Sequence, residues 1–431
     1  MAEVQPLSAL RYDTSVVSSL ADVTAPPYDV ISPQQRDALL QRSEHNIVAI
    51  DLPLLNAEGK LEGASGDASQ QDPYAAAGER FARWQQEGVL RRDPTPAFWV
   101  HTQEYTGPDG IARTRRGFFC RVRIEEYGEG RVRPHERTHP GPKEDRLKLM
   151  RATQADLSPI FSLYSDPGHE AWDVLAPGGD QKPDGEVTDA DGTVHRIWRA
   201  DRPEQIAGVS ATLKDAELLI ADGHHRYETA KTYAEEVGGE GDHRYILMCL
   251  VALEDPGLTV FPTHRLVSGL DDAKRHRLLQ AIESDFDVEE VSLDALAPQP
   301  GEGPLQLGLL DSRKQPLRLT LKDQQIADEA LKGHSDAYRR LDTGVLEALL
   351  LKGALGLSEH DIAELNGLWY ARDTQDAISL VQSGEFDAAF LMRPTPISHV
   401  REVAASGENM PPKSTYFFPK LLTGLLINPL A

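Results

Sequence analysis

Apolar and polar positions recur along this chain with two different periods, and together they predict alternating strands and helices. Ser32 followed by Pro33 marks a helix start, since the serine can cap and proline's fixed φ suits the first helical position. A second helix is expected from about Pro73 to Glu87, with Phe81 and Trp84 on its apolar face. Ala97 to Tyr105 and Arg113 to Glu125 read as extended runs joined by Gly107-Pro108-Asp109-Gly110, a hairpin-like turn. Ala216 to Ala221 reads as a short buried strand, after which Tyr227, Ala230, Tyr233 and Ala234 recur at helical spacing. Tyr245 to Leu253 and Leu258 to His264 read as strands around an Asp255-Pro256-Gly257 turn. Further on, helices are expected near Asp271 to Ser284, at Thr343 to Ala354 and at Ser398 to Ala405, the last stopped by Gly407. Strands are expected at Leu305 to Leu310, Leu317 to Leu321 and Ala388 to Met392.

This alternation indicates an α/β class, with α+β as the alternative. Runs of Gly, Pro and small polar residues predict loops at Asn56 to Pro73, Pro177 to Gly192 and Ala297 to Pro304. A chain of 431 residues suffices for two or three units with their own cores. The expected division is an N-terminal α/β segment over 1–95, a core over 96–267 and a C-terminal α/β domain over 268–431.

Charge narrows the classes of partner. A net charge of −23 repels nucleic-acid phosphates and anionic lipid, so neither is an expected partner. Cys120 and Cys249 lie inside apolar, strand-like runs and read as reduced, buried thiols. No secretory signal is evident, and the most apolar stretches are too short to cross a bilayer, so a cytoplasmic location is expected.

The sharpest candidate chemistry is Leu218-Leu219-Ile220-Ala221-Asp222-Gly223-His224-His225-Arg226-Tyr227. An apolar strand ends in Asp-Gly and a helix begins at once, which exposes unbonded N–H groups and a positive dipole end. Gly223 lets a ligand approach the backbone. His224, His225 and Arg226 put cationic donors where they oppose the dipole, an arrangement that makes sense around a bound anion. Asp222 can hold a metal ion that bridges phosphates. The alternative is an ordinary capped turn with solvated histidines.

Two further stretches carry charge or hydroxyls. Arg131 to Arg151 holds seven Lys/Arg against three Asp/Glu, a basic island that suits a small anion. Glu136 sits within it and can act as a general base. A surface helix from Lys143 to Ala152, laced with ion pairs, accounts for the same residues. Pro411 to Lys420 joins a rigid Pro-Pro entry to Lys413, Ser414 and Thr415, which can donate to phosphate, or whose neighbouring aromatics can pack on a core. The P-loop, Rossmann and nucleophile-elbow patterns are absent from the sequence.

At these motifs the chain resembles, nearly end to end, the bacterial and archaeal family known as domain of unknown function 1015. The resemblance takes in Ala25 to Ile31, Pro134 to Thr138, Gly141 to Arg146, Leu157 to Ile160, Ala221 to Arg226, Pro262 to Arg265 and Pro411 to Lys420. More distantly, Asp222 to Arg226 looks like the nucleotide-phosphate motif of the ParB and sulfiredoxin-like superfamily, especially its free serine kinases. The resemblance implies a mixed-sheet core and a Pro-His-Glu element whose Glu is the base, matched here by Pro134-His135-Glu136. Glu136 and Asp222 are 86 positions apart, a wider gap than in the compact kinases.

The resulting expectation is a phosphotransferase on a small hydroxy amino acid, nucleotide-dependent, with serine as the best guess. Gly223, His224, His225 and Arg226 would bind phosphate, and Asp222 would organise Mg²⁺ or the hydroxyl. Glu136 would be the base. Arg137, Lys143 and Arg146 would neutralise transition-state charge, with Lys413 as a further phosphate donor. The expected cofactors are Mg²⁺ and ATP or ADP, and the expected partner is a small phosphorylated metabolite or nucleotide. A phosphoserine phosphatase and a non-enzymatic, ParB-like nucleotide-sensing regulator are the rival readings.

Overall fold

In the computed structural model, which describes residues 3–53, 72–128, 130–136, 140–301, 303–313 and 315–431, the alternating patterns resolve into two units. The first gathers 1–133, 138–258 and 419–431, and the second gathers 134–137 and 259–418.

Local chemistry builds the first unit's elements as their sequences suggest. The short strand β1 (Val4–Gln5) precedes α1 (Pro33–Arg42), where Ser32 and Gln35 close a reciprocal capping box. Helix α2 (Pro73–Gln86) starts at the Asp72 cap and buries Ala77, Phe81 and Trp84. Strands β2 (Phe98–Thr106) and β3 (Ala112–Arg123) form the expected antiparallel hairpin. After β4 (Val132–Arg133), helix α3 (Pro140–Thr153) packs against α2, and then comes β5 (Ile160–Tyr164), every residue of it buried. The Pro177 to Gly192 stretch, expected as loop, contains β6 (Gly185–Thr188), which pairs with β7 (Val194–Ala200). That short strand lacks an apolar run of its own and forms because β7 supplies its partner. Helix α4 (Pro203–Thr212) leads to β8 (Leu218–Asp222), then α5 (His224–Val237) and β9 (Tyr245–Ala252).

These strands make one mixed sheet in the order β4-β8-β5-β9-β3-β2-β7-β6, with β1 added beside β3. The pairs β4–β8 and β9–β5 are parallel, and the rest are antiparallel. Phe98, Phe118, Ile160, Ile220, Tyr227 and Met248 share its core. Cys120 on β3 and Cys249 on β9 are buried free thiols there.

The second unit has a six-stranded antiparallel sheet and a small ribbon. The ribbon pairs β10 (Thr259–Phe261) with β17 (Tyr416–Phe418). The sheet uses β11 (His264–Val267), β12 (Phe286–Glu290), β13 (Gln306–Asp311), β14 (Leu317–Leu321), β15 (Leu368–Ala371) and β16 (Ala388–Met392), in the order β12-β14-β13-β16-β11-β15. The run expected as one strand, Leu258 to His264, is divided between β10 and β11 around Pro262-Thr263. Helices α6 (Asp272–Asp285), α7 (Thr374–Gln382) and α8 (Ile397–Ala405) flank these strands in sequence.

The boundaries differ from the division expected at 95 and 267. Residues 1–95 do not stand apart, because Val4 pairs with Val122 inside the first unit's sheet. The C-terminal residues return to that unit as well: Asn428 pairs with Asp156, Ile427 bridges Leu10 and Thr423 bridges Ala25. Main-chain pairing over such separations carries no local sequence signal. Residues 56–71 of the first expected loop lie outside the described residues. Among the described residues, no helix is long and apolar enough to cross a membrane.

Candidate functional site

Strand β8 ends at Asp222 with a register irregularity against β5, between Ile220 and Asp222. Gly223 then takes φ +100°, a left-handed conformation that costs an L side chain about 1–2 kcal/mol. Helix α5 starts directly after it, with Gly223 as its N-cap residue and no side-chain cap from that position. The positive end of the helix dipole therefore faces the turn. His224 is buried and His225 is half-buried in that turn.

Arg226 braces the loop from within. Its Nη1 donates to Ser158 Oγ at 2.9 Å and to the Pro159 carbonyl, while Nη2 stands 3.7 Å from Asp222 Oδ1. A Cβ on Gly223 would come within 3.1 Å of this guanidinium, which would have to give by a few tenths of an ångström, so tight packing adds to the demand of φ. The planar fork expected to grip phosphate is thus directed at the protein's own oxygens.

A cation absent from the expected set stands beside the turn. Lys420 Nζ donates to Asp222 Oδ2 at 2.8 Å. Burial works against the charged form of Asp222, yet Lys420 and Arg226 hold its carboxyl well below the ordinary range. Lys420 is positioned by its backbone: Gln103 Nε2 donates to its carbonyl at 3.0 Å, and Arg115 Nη2 to the Pro419 carbonyl at 2.6 Å. Arg115 also donates through Nε to Gln103 Oε1 at 2.9 Å, and it is only 1% exposed. A buried Arg-Gln pair on neighbouring strands thereby fixes the segment that carries the lysine.

Both Asp222 oxygens already face positive groups, and among the described residues no three metal-binding side chains cluster. This carboxylate fits Mg²⁺ only within a shell that nucleotide phosphates and water complete. Lys143 stands half-buried near the start of α3. Arg146, on the same helix, is committed to Asp51 and Asp145, with Nη1 3.0 Å from Asp51 Oδ1 and Nη2 2.6 Å from Asp145 Oδ2. Its guanidinium lies 4.3 Å above the Tyr28 ring. Arg137 lies outside the described residues.

Glu136 and Lys413 belong to the second unit, apart in the chain's division from Asp222 to Arg226. There Glu136 Oε1 accepts the Lys413 N–H at 3.3 Å, and His135 Nε2 lies 3.0 Å from Thr415 Oγ1. Arg265 Nη2 donates to the Pro412 and Lys413 carbonyls at 3.1 and 3.2 Å. The stretches around Glu136, Arg265 and Lys413 are thus brought into one cluster.

Lys420, Tyr28 and Ser158 lay inside motif stretches legible in the sequence, but nothing local singled them out. Asp51 carried no signal beyond being a charged residue beside an apolar run, and Arg115 was one arginine among three at 113, 115 and 116.

The fold and this loop define a mixed α/β protein whose main sheet presents a cation-flanked strand–turn–helix with glycine at the helix start. By sequence the chain belongs to the protein family of unknown function DUF1015, whose model matches residues 4–344. No curated protein matches it. Among solved structures, a conserved hypothetical protein from Pyrococcus furiosus is similar at 16% identity and a TM-score of 0.36, covering 69% of this chain and 90% of that one. A free serine kinase variant in complex with ADP matches at 13% identity and a TM-score of 0.38, over 71% of this chain and 92% of that one. SbnI from Staphylococcus aureus, with a C-terminal truncation, matches at 12% identity and a TM-score of 0.36, over 71% and 85%.

Proposed function

We propose that the protein is a nucleotide-dependent phosphotransferase acting on a small hydroxy amino acid, in the manner of a free serine kinase. The observation that carries the reading is the Gly223 turn: φ +100°, a helix that starts at this glycine, and Lys420 beside it. Main-chain N–H groups at such a turn suit a phosphate, and a lysine acts there as a point charge. In this reading His224, His225 and the amides after Gly223 hold phosphate, Arg226 braces the turn, and Lys420 offsets negative charge. The substrate hydroxyl attacks the terminal phosphorus, the bond to the nucleotide's bridging oxygen breaks, and the hydroxyl proton passes to a base. Glu136 enters as that base on the Pro-His-Glu resemblance alone. Mg²⁺ enters with the nucleotide's phosphates.

The experiment is phosphorus NMR of the purified protein with Mg²⁺, serine and ATP or ADP. Phosphoserine should accumulate, and Glu136→Gln should slow it by about 100-fold or more. Absence of transfer from either nucleotide overturns the reading. Inorganic phosphate released from phosphoserine without nucleotide would replace it with a hydrolase.

A further inference from the structure

Next to the Arg226 brace, inside the first unit, is a small chamber of about 40 Å³ lined by Tyr28, Asp51, Arg146, Asp156, Ser158 and Arg226. These residues come from stretches spread across some two hundred positions, and the chamber adjoins the loop without including the turn itself. Leu149, Met150, Leu157 and Ile246 supply apolar parts of the wall, so the polar groups stand in a desolvated setting.

Asp51 differs from the others. Its side chain is only 5% exposed, Oδ1 meets Arg146 at 3.0 Å, and Oδ2 has no hydrogen-bond partner among the described residues. Buried carboxylate oxygens are normally satisfied, so an unmet one lining a cavity asks for a donor from outside the chain. Arg146 does not supply it, since it is turned to Asp51 Oδ1, the Asp51 carbonyl and Asp145. Arg226 contributes the complementary charge on the same chamber through Nη2, which stands 3.7 Å from Asp222 while Nη1 holds Ser158 and Pro159. A cavity this size has room for roughly three waters, at about 10–15 Å³ each. It therefore admits a compact polar head group and excludes a nucleobase or ribose.

We propose that this chamber receives the ammonium end of a small α-amino acid, donating to Asp51 Oδ2, with Arg226 meeting the carboxylate. It rests on the phosphotransferase reading and names the place of the acceptor substrate in it. Asp51 would then select the amino acid over a hydroxy acid of the same shape, because only the ammonium brings both charge and several donors to that oxygen.

The test is calorimetry and thermal shift on the full chain with L-serine, D-glycerate, ethanolamine and, separately, ADP. Serine should bind at least about tenfold more tightly than glycerate or ethanolamine, each of which lacks one charged group. Asp51→Asn should abolish the preference over glycerate while ADP binding stays as in the parent. Should Asp51→Asn fail to fold, Tyr28→Phe, which keeps the ring beneath Arg146, should weaken serine several-fold. Equal binding of serine and glycerate overturns the assignment, as does serine binding indifferent to both substitutions, or none at all. Serine binding that depends on Asp51 in a protein that neither binds ADP nor transfers phosphate would support the chamber and sink the phosphotransferase reading instead.

Discussion

Lys420 reaches back 198 positions to place its ammonium 2.8 Å from the Asp222 carboxylate, at the mouth of the Gly223 turn. The two side chains are 22% and 21% exposed, so the pair lies between a surface bridge and a buried one. Removing the cation alone leaves Asp222 facing the more distant Arg226 and His224 in a poorly solvated place. Lys420→Met should therefore cost about 1–3 kcal/mol, and the double variant with Asp222→Asn should recover part of it. The sign with pH follows from the lowered pKa of Asp222. Its stabilisation is present above the ordinary value of 3.8 and is lost as pH falls through the lowered one, so the gap between parent and Lys420→Met should close in acid. Thermal melts from pH 7 down to about pH 2 check both parts.

Gly223→Ala should be harmful twice over. The backbone would hold an L residue at φ +100°, and the new Cβ would press on Arg226 at 3.1 Å. A loss of about 1–2 kcal/mol is expected from the backbone alone. Nucleotide-induced thermal shift should fall more than stability does, because the displaced guanidinium also anchors Ser158. Urea denaturation beside an ADP titration separates these effects.

His264 should make the second unit acid-sensitive. Its Nδ1 accepts the Met392 N–H at 3.1 Å, which requires the neutral ring, and Nε2 lies 3.0 Å from Thr374 Oγ1. Burial, helped by neighbouring Arg265, pushes its pKa down from 6.5 to about 4. The unfolded chain then binds a proton that the folded one refuses, so stability is full above 6.5 and declines as pH falls toward 4, by roughly 3 kcal/mol. His101 and His195, buried in the first unit, act in the same sense. Asp156 acts in the opposite one: burial raises it to about 6, so its contribution improves as pH falls through that value. Melts of His264→Asn across pH 7 to 4 should show a shallower acid slope than the parent.

Both thiols should resist alkylation in the native state. Burial pushes Cys249 up to about 12 and Cys120 well above its ordinary value, and neither is solvent-exposed. At pH 8 iodoacetamide should modify neither, whereas denaturant should release two equivalents. Rapid labelling of the folded protein, read by mass spectrometry, would contradict the burial described here.

The candidate site was legible in part. Ala221-Asp222-Gly223-His224 could be read as strand, turn and helix because each step is a short-range consequence of residue type. Arg226 could be seen as a cation at a helix start, but its inward direction depends on Ser158 and Pro159, which approach on another strand. Asp51 lies in a short apolar stretch that offered no reason to notice it. Lys413 drew attention as the lysine of its motif, whereas Lys420 of the same stretch is the one beside Asp222.

The amino-acid order by itself determined the local pieces: the capped start at Ser32, the hairpin around Gly107 to Gly110, the left-handed turn at Gly223 and the buried face of the helix after it. Those follow from steric and hydrogen-bonding preferences that act over a few residues. The meeting of Tyr28, Asp51, Arg146 and Arg226, the return of residues 419–431 to the first unit and the placing of Glu136 in the second unit were decided only by tertiary structure. Such encounters depend on which distant strands bury one another's apolar faces, and no window of neighbouring residues contains that choice.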